Sequence, residues 1–264
     1  MNVDFTNKVV LVTGASIGIG ESTAILFAKL GAKLSIVGRN EENLRAVAAK
    51  CEQQKGLKPL AIIADLATDE GVEKVAKDTL DHYGRLDVLV NNAGVGTRTT
   101  IQTADMEKFD KVFQLDVRSV YNLTRLLVPA LIETKGNIVN ISSIAATTVV
   151  VGSLPYGMAK AALDHFTRLT ALELAPKGVR VNTVSPGLTV SHFLKRITGY
   201  TEEQYQAWLE MATKAIPIGQ ACDGDDIARM IVHIASDNSR LVTGTIIEVD
   251  GAMRFNCPSS IMTK

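Results

Sequence analysis

The chain has 264 residues, 46% hydrophobic and 21% charged, with 28 basic and 28 acidic side chains. That length and composition suit a soluble globular protein with a full core, as one large α/β domain or two small ones. The balanced charge carries no basic run that would support nucleic-acid binding, and no apolar stretch is long enough to read as a membrane span.

Residues 8–13 are a short β-branched apolar run, the pattern of a buried strand. Gly14-Ala-Ser-Ile-Gly18-Ile-Gly20 follows, then a helical pattern closed by Gly31. In this order the small residues let a backbone approach a pyrophosphate, and the helix start offers unpaired N–H groups with a positive dipole. The Gly-x-x-x-Gly-x-Gly spacing is weak evidence alone, but between a strand and a helix it points to a dinucleotide. A second strand over 32–38 ends at Arg39. In an NAD-selective site an acidic residue about twenty positions past the glycines receives the ribose 2′-hydroxyl. Here Gly38-Arg39-Asn40 holds that place, and a guanidinium suits a 2′-phosphate, so NADP(H) is expected in preference to NAD(H).

An amphipathic helix over 41–54 groups Leu44, Val47, Ala48 and Cys51 on one face. A third strand over 57–64 ends at Asp65, whose carboxylate is placed to accept from an adenine amino group. A helix over 69–83 and a fourth strand over 86–91 run into Asn91-Asn92-Ala93-Gly94, a candidate wall of the cofactor cleft. Residues 106–132 read as one long helix that Pro129 interrupts near its end. A fifth strand over 137–142 leads into a loop of small and β-branched residues over 145–154, and Pro155 opens a helix that runs to 175. A sixth strand over 179–185 breaks at Pro186-Gly187; short helical patterns over 188–218, a helix over 223–236 and a seventh strand over 244–250 complete the chain. Alternating strands and helices, with no linker or repeat, predict a single doubly wound α/β domain over residues 1–264, a seven-stranded parallel sheet with helices on both faces.

The chemistry gathers late in the chain. Tyr156 and Lys160 are four apart on one helical face, and Ser143 stands at the end of the fifth strand. A free tyrosine titrates near ~10, and an ammonium beside it favours the phenolate. A hydroxyl, a phenol and an ammonium together suit holding a carbonyl or alcohol oxygen while a proton moves. Cys51, Cys222 and Cys257 are odd in number and scattered, which fits a reducing cytoplasm rather than a disulfide framework. The first residues lack the pattern of a signal peptide, and the four histidines show no metal-ligand spacing, so no metal is expected.

Taken together, Thr13-Gly-x-x-x-Gly-Ile-Gly20, Asp65, Asn91-Asn-Ala-Gly94, Ser143, Tyr156-x-x-x-Lys160 and Pro186-Gly187 resemble the short-chain dehydrogenase/reductase family, in its order and approximate spacing from about residue 5 to 252. The look is that of its compact members named as 3-oxoacyl-carrier-protein reductases or carbonyl reductases. The resemblance implies a Rossmann-like fold in which Tyr156 is general acid in reduction and base in oxidation. Lys160 would lower its pKa and hold the nicotinamide ribose, and Ser143 would bind the substrate oxygen. It further implies that Gly14, Ser16, Ile19 and Arg39 line the pyrophosphate and adenosine end, and that Asp65 meets the adenine. Asn91 would meet the neighbouring ribose beside Ala93, and Pro186, Gly187 and Thr189 the nicotinamide. Homotetramers through the helices at 106–132 and 156–175 are likewise implied. Two positions depart from the family. Asp116 stands where most members carry an asparagine that anchors a water relay to the lysine, so it is carried as a catalytic candidate that can pair with Lys160. Ile17 stands where many NADP-preferring relatives carry a basic residue, leaving most 2′-phosphate recognition to Arg39.

By the same analogy the substrate sits over the nicotinamide, between the 145–154 loop and a lid at about 188–218. Val149, Val150, Val151, Leu154, His192, Phe193, Ile197, Trp208 and Met211 offer a mostly apolar surface there. The expected activity is hydride transfer between NADP(H) and a ketone or secondary alcohol that is lipid-, terpenoid- or steroid-like. A 3-oxoacyl thioester reductase is the alternative, and a dinucleotide-binding sensor or scaffold without turnover is the alternative from another class. The sole partner expected besides a second copy of the chain is the small-molecule carbonyl or alcohol.

Overall fold

The structure is a computed structural model, and it describes residues 3–55 and 57–256; Cys257 lies outside the described residues. Seven parallel strands, β1 (Val9–Thr13), β2 (Lys33–Gly38), β3 (Leu60–Ile63), β4 (Val88–Asn91), β5 (Asn137–Ile141), β6 (Arg180–Pro186) and β7 (Ile246–Val249), form one sheet in the order β3-β2-β1-β4-β5-β6-β7. The expected Rossmann-like α/β class is therefore what the chain adopts. The strands are shorter than the apolar runs suggest. β3 starts at Leu60 rather than 57, because Pro59 has no N–H to give a ladder and Leu57 is exposed.

Period-two alternation decides the two faces of the sheet. Val10, Val12, Val88, Val90 and Val139 pack on one side, against α1 (Gly18–Lys29), α2 (Glu41–Lys55) and α9 (Gly224–Ala235). Val9, Leu11, Leu89 and Ile138 pack on the other, against α3 (Asp69–Tyr83), α5 (Ser119–Thr134) and α6 (Leu154–Leu174). Burying both faces is why the strands read as unbroken apolar runs. The order reverses between β1 and β4, which are register neighbours from Val10 opposite Val88 to Val12 opposite Val90. Such a switch point leaves a crevice at the carboxyl ends of the two strands, since their outgoing connections run to opposite sides.

The segment read as one long helix is helical throughout, from Met106 to Thr134, but a π turn divides it. α4 (Met106–Phe113) and α5 are joined by a π-helical turn, Gln114–Arg118, that carries Asp116. Pro129 does not end the helix as expected. α5 continues to Thr134 because Leu123, Leu127 and Leu131, four apart on one face, are completely buried, and that packing outweighs one missing hydrogen bond. The end is set instead by Lys135 at φ 52° and by Gly136 N–H donating to the Leu131 carbonyl at 2.8 Å.

Two short helices, α7 (His192–Thr198) and α8 (Glu202–Lys214), make up most of the 188–218 segment. α8 packs into a small cluster apart from the main core, Ile144, Leu188, Ala212, Ile216 and Met253, while Phe193 of α7 lies against Tyr156 with ring centroids 5.7 Å apart.

Candidate active site

Six strand ends, those of β1 to β6, and the starts of α1 and α6 converge on one cavity of about 600 Å³. Its first wall is the turn after β1. Gly14 has φ +66°, and a Cβ there would meet Ala93 Cα at 2.9 Å; a Cβ on Gly20 would lie 2.2 Å from the Gly14 carbonyl oxygen. Only glycine fits at either place, because the turn after β4 is packed directly on them. Thr13 ties the two turns: its hydroxyl accepts from Asn92 N–H (2.9 Å) and Ala93 N–H (3.0 Å), while Asn92 Nδ2 donates to the Thr13 carbonyl at 2.8 Å. Ile17, at the N-cap of α1, makes no side-chain capping bond, and Ser16 Oγ is buried without a protein partner. An uncapped helix start, an unpaired hydroxyl and a glycine cradle fit a pyrophosphate.

Further along this wall, Arg39 follows β2 and Asp65 follows β3, so the pairing of those strands sets them side by side. Arg39 Nη1 is 3.7 Å from Asp65 Oδ2, and both side chains remain about half exposed on the cavity. Ile19, Ala93, Pro186, Gly187 and Thr189 also line it.

The reactive groups lie where β4, β5 and α6 meet. Ser143, Tyr156, Lys160 and Asp116 all line the same cavity. Lys160 is 4% exposed; its Nζ donates to the Ile141 carbonyl at 3.0 Å and sits 3.0 Å from Asp116 Oδ2, an ion-pair contact off the line of a good hydrogen bond. Asp116 has no exposed surface, and its Oδ1 accepts from Val95 N–H at 2.8 Å. Tyr156 keeps an accessible edge on the cavity, with Lys160 Nζ 5.5 Å from its ring centroid and the Phe193 ring 5.7 Å away. The Ser143 hydroxyl accepts from Ala145 N–H at 3.2 Å.

The electrostatics differ from what the Tyr-x-x-x-Lys spacing alone suggests. Burial holds the Tyr156 phenol above the ordinary tyrosine range; Lys160 pulls against it, Asp116 reinforces it, and the Ser143 hydroxyl opposes it. For Lys160 burial is the largest single influence and favours the neutral amine. The facing Asp116, Tyr156 and Asp164 together overturn it and raise the ammonium above its usual value. Burial likewise raises the Asp116 carboxyl, against the pull of Lys160 and the Val95 N–H.

Some expected residues lie elsewhere. Asn91 is buried and absent from the cavity wall, because its amide donates to Asn140 Oδ1 (2.9 Å) and Thr124 Oγ1 (3.3 Å); Asn92, Ala93 and Gly94 hold that part of the wall. Val149 is 95% exposed and Leu154, at the start of α6, 43% exposed; neither lines the cavity, while Val150 and Val151 do. Met211 is also off the wall, and the His192 side chain lies outside what the structure describes. Phe193, Ile197 and Trp208 do line it. The sequence reading missed Arg98, Thr148 and Met253, which line the same cavity. Arg98 carries a signal in hindsight, four residues past the turn at Gly94; Met253 carries none, since it arrives from beyond β7. Among the described residues no group of histidine, cysteine and carboxylate side chains is arranged for a metal, and no helix is long and apolar enough to cross a membrane.

This fold and site define an oxidoreductase of the dinucleotide-binding kind, and the chain belongs to the short-chain dehydrogenase/reductase family. The sequence model of the family described as enoyl-(acyl carrier protein) reductase matches residues 14–254. The 3-oxoacyl-(acyl-carrier-protein) reductase of Thermotoga maritima is 34% identical over 247 residues, 93% of this chain and 97% of that one. The L-sorbose reductase of Gluconobacter frateurii, solved with NADPH and L-sorbose, superposes with a TM-score of 0.90 at 32% identity, over 96% of this chain and 99% of that one. The 3-ketoacyl-(acyl-carrier-protein) reductase of Brucella melitensis, solved with NADH, gives 0.84 at 30% identity, over 94% and 99%.

Proposed function

We propose that the protein interconverts a ketone and a secondary alcohol with NADP(H), in preference to NAD(H), on an apolar lipid-, terpenoid- or steroid-like substrate. What carries the reading is one continuous cavity, with Arg39 and the glycine turn at one end and Ser143, Tyr156 and Lys160 at the other. When bound, the dinucleotide supplies the hydride in reduction and takes it in oxidation. Gly14, Ser16 and Ile19 would hold its pyrophosphate end, Arg39 and Asp65 its adenosine end, and Pro186 to Thr189 its nicotinamide end. Ser143 donates a hydrogen bond to the carbonyl oxygen. Tyr156 passes its proton to that oxygen, is left as a phenolate and is reprotonated from solvent; oxidation runs the same transfer backwards.

Arg39 supports the NADP(H) preference, and so does the NADPH bound by the sorbose reductase; the NADH bound by the Brucella relative leans the other way. The apolar substrate is supported by Val150, Val151, Phe193, Ile197, Trp208 and Met253 on the wall. The 188–218 segment would close over it as a lid. Exposed Tyr121, Leu169 and Leu172 on α5 and α6 support a homo-oligomer, with a tetramer expected; a monomer in sedimentation at micromolar concentration would remove that element.

The Thermotoga relative favours a second reading, reduction of a 3-oxoacyl thioester. NADPH and NADH should be tested against steroid, terpenoid, sugar and acyl-thioester carbonyls, with Tyr156→Phe as control. Turnover of free apolar ketones that vanishes in the variant sustains the first reading, and turnover of thioesters alone sustains the second. Tight NADPH binding without turnover of any carbonyl overturns both and leaves a binding protein.

A further inference from the structure

A buried carboxylate beside the reactive lysine changes what the tyrosine can do. The π-helical turn Gln114–Arg118 interrupts a helix that otherwise runs from 106 to 134 and delivers Asp116 to the cavity wall with no exposed surface. π-bulges of this kind recur at functional positions, where an extra residue re-aims a side chain. Oδ1 is fixed by Val95 N–H at 2.8 Å, so Oδ2 is held toward Lys160 Nζ at 3.0 Å. The packing is tight: a Cβ on Gly94 would lie 3.0 Å from Asp116 Oδ2 and 3.4 Å from Lys160 Nζ.

Lys160 has three protons to donate. The Ile141 carbonyl takes one and Asp116 faces a second, leaving one for a cofactor hydroxyl. An unbalanced ammonium in this enclosure would favour the Tyr156 phenolate; a neutral ion pair does so far less. The groups that face the tyrosine are few. Lys160 comes from its own helix, Asp116 from the π turn and Ser143 from the end of β5. Asp164, a turn beyond on α6, adds a second carboxyl behind Lys160, itself faced by Arg168 from α6 and Glu248 from β7.

We infer that Asp116 is a positioning residue that neutralises Lys160 and so keeps Tyr156 a phenol across the neutral range, biasing this site toward giving a proton to a carbonyl rather than taking one from an alcohol. The catalytic consequence rests on the proposed reaction; the protonation state of Tyr156 does not. An asparagine at 116 would match the aspartate in shape and leave the lysine charge unbalanced.

Tyrosinate absorbance is read against pH for the wild-type chain and for Tyr156→Phe, the difference isolating Tyr156, and the pair is repeated in an Asp116→Asn background. Wild-type Tyr156 should ionise no lower than a free tyrosine, near ~10. In Asp116→Asn it should ionise at least about one pH unit lower, as expected when a neighbouring charge is removed. The pH midpoint of kcat/KM for alcohol oxidation should move down with it. Ionisation of wild-type Tyr156 near neutrality, a result needing no position-116 variant, would overturn the inference; so would an unchanged midpoint in Asp116→Asn. Failure to turn over any carbonyl would remove the proposed reaction, while the absorbance titration would still decide the role of Asp116.

Discussion

The two ends of the cavity are built differently. At the proposed cofactor end the walls are the carboxyl ends of β1, β2 and β4, strands buried along nearly their whole length, with the first turn of α1, which buries one face against the sheet. At the proposed substrate end the walls are α7, α8 and the 144–151 loop, and the core beneath α8 and the loop is the small cluster Ile144, Leu188, Ala212, Ile216 and Met253. The first end is a property of the sheet and has little freedom to vary without breaking it. The second can be reshaped with small loss to the core, which explains how relatives alike in fold can bear names for substrates as different as L-sorbose and acyl-carrier thioesters.

That contrast can be broken by substitutions that act at one end only. Tyr156, where the two ends meet, should show the largest effect. Tyr156→Phe should lower kcat by about 10²–10⁴-fold, the usual span of a lost general acid, with cofactor affinity by NADPH fluorescence essentially kept. Equal loss of affinity would mean that the residue builds the cofactor site rather than the chemistry.

Next comes Arg39, at the cofactor end. Arg39→Ala should reduce kcat/KM with NADPH by roughly 10–100-fold, the worth of one or two charge-assisted hydrogen bonds. Values with NADH should stay put or rise, since Asp65 loses its partner at 3.7 Å and is left beside the proposed adenosine site. A parallel fall with both cofactors would assign Arg39 to the wall itself.

Trp208, at the substrate end, should give the smallest change. It lines the cavity from α8 and stacks on Tyr205, with ring centroids 6.4 Å apart. Trp208→Ala should raise KM for an apolar ketone roughly 3–10-fold, on the scale of partial loss of a hydrophobic contact, and leave NADPH binding alone. If cofactor affinity fell as well, the two ends would not be separable.

Where the sequence could be read, a local pattern had a single physical solution. The glycines at 14 and 20 are spaced for a turn that only they can make, and Tyr156 with Lys160 share a helical face whatever surrounds them. Asn91 and Asn92 show where such reading stops. As neighbours in one turn they are equivalent on paper, yet one is drawn under the sheet by Asn140 and Thr124, while the other holds the Thr13 and Gly14 carbonyls at the cavity wall. Val149 and Val150 divide in the same way, one into solvent and one onto the cavity.

The sequence by itself determined the alternation of strands and helices, the glycine turn after β1 and the placing of Tyr156 and Lys160 on one helical face with Ser143 at a strand end, because each follows from spacing along a strand or helix. The tertiary structure decided the strand order, the continuation of α5 through Pro129 and the apolar lining contributed by Met253. It also decided the balance of charge around Tyr156. Spacing places one ammonium near one phenol, but only the π turn packed against Gly94 brings a carboxylate within 3.0 Å of that ammonium, and enclosure from water makes the pairing count.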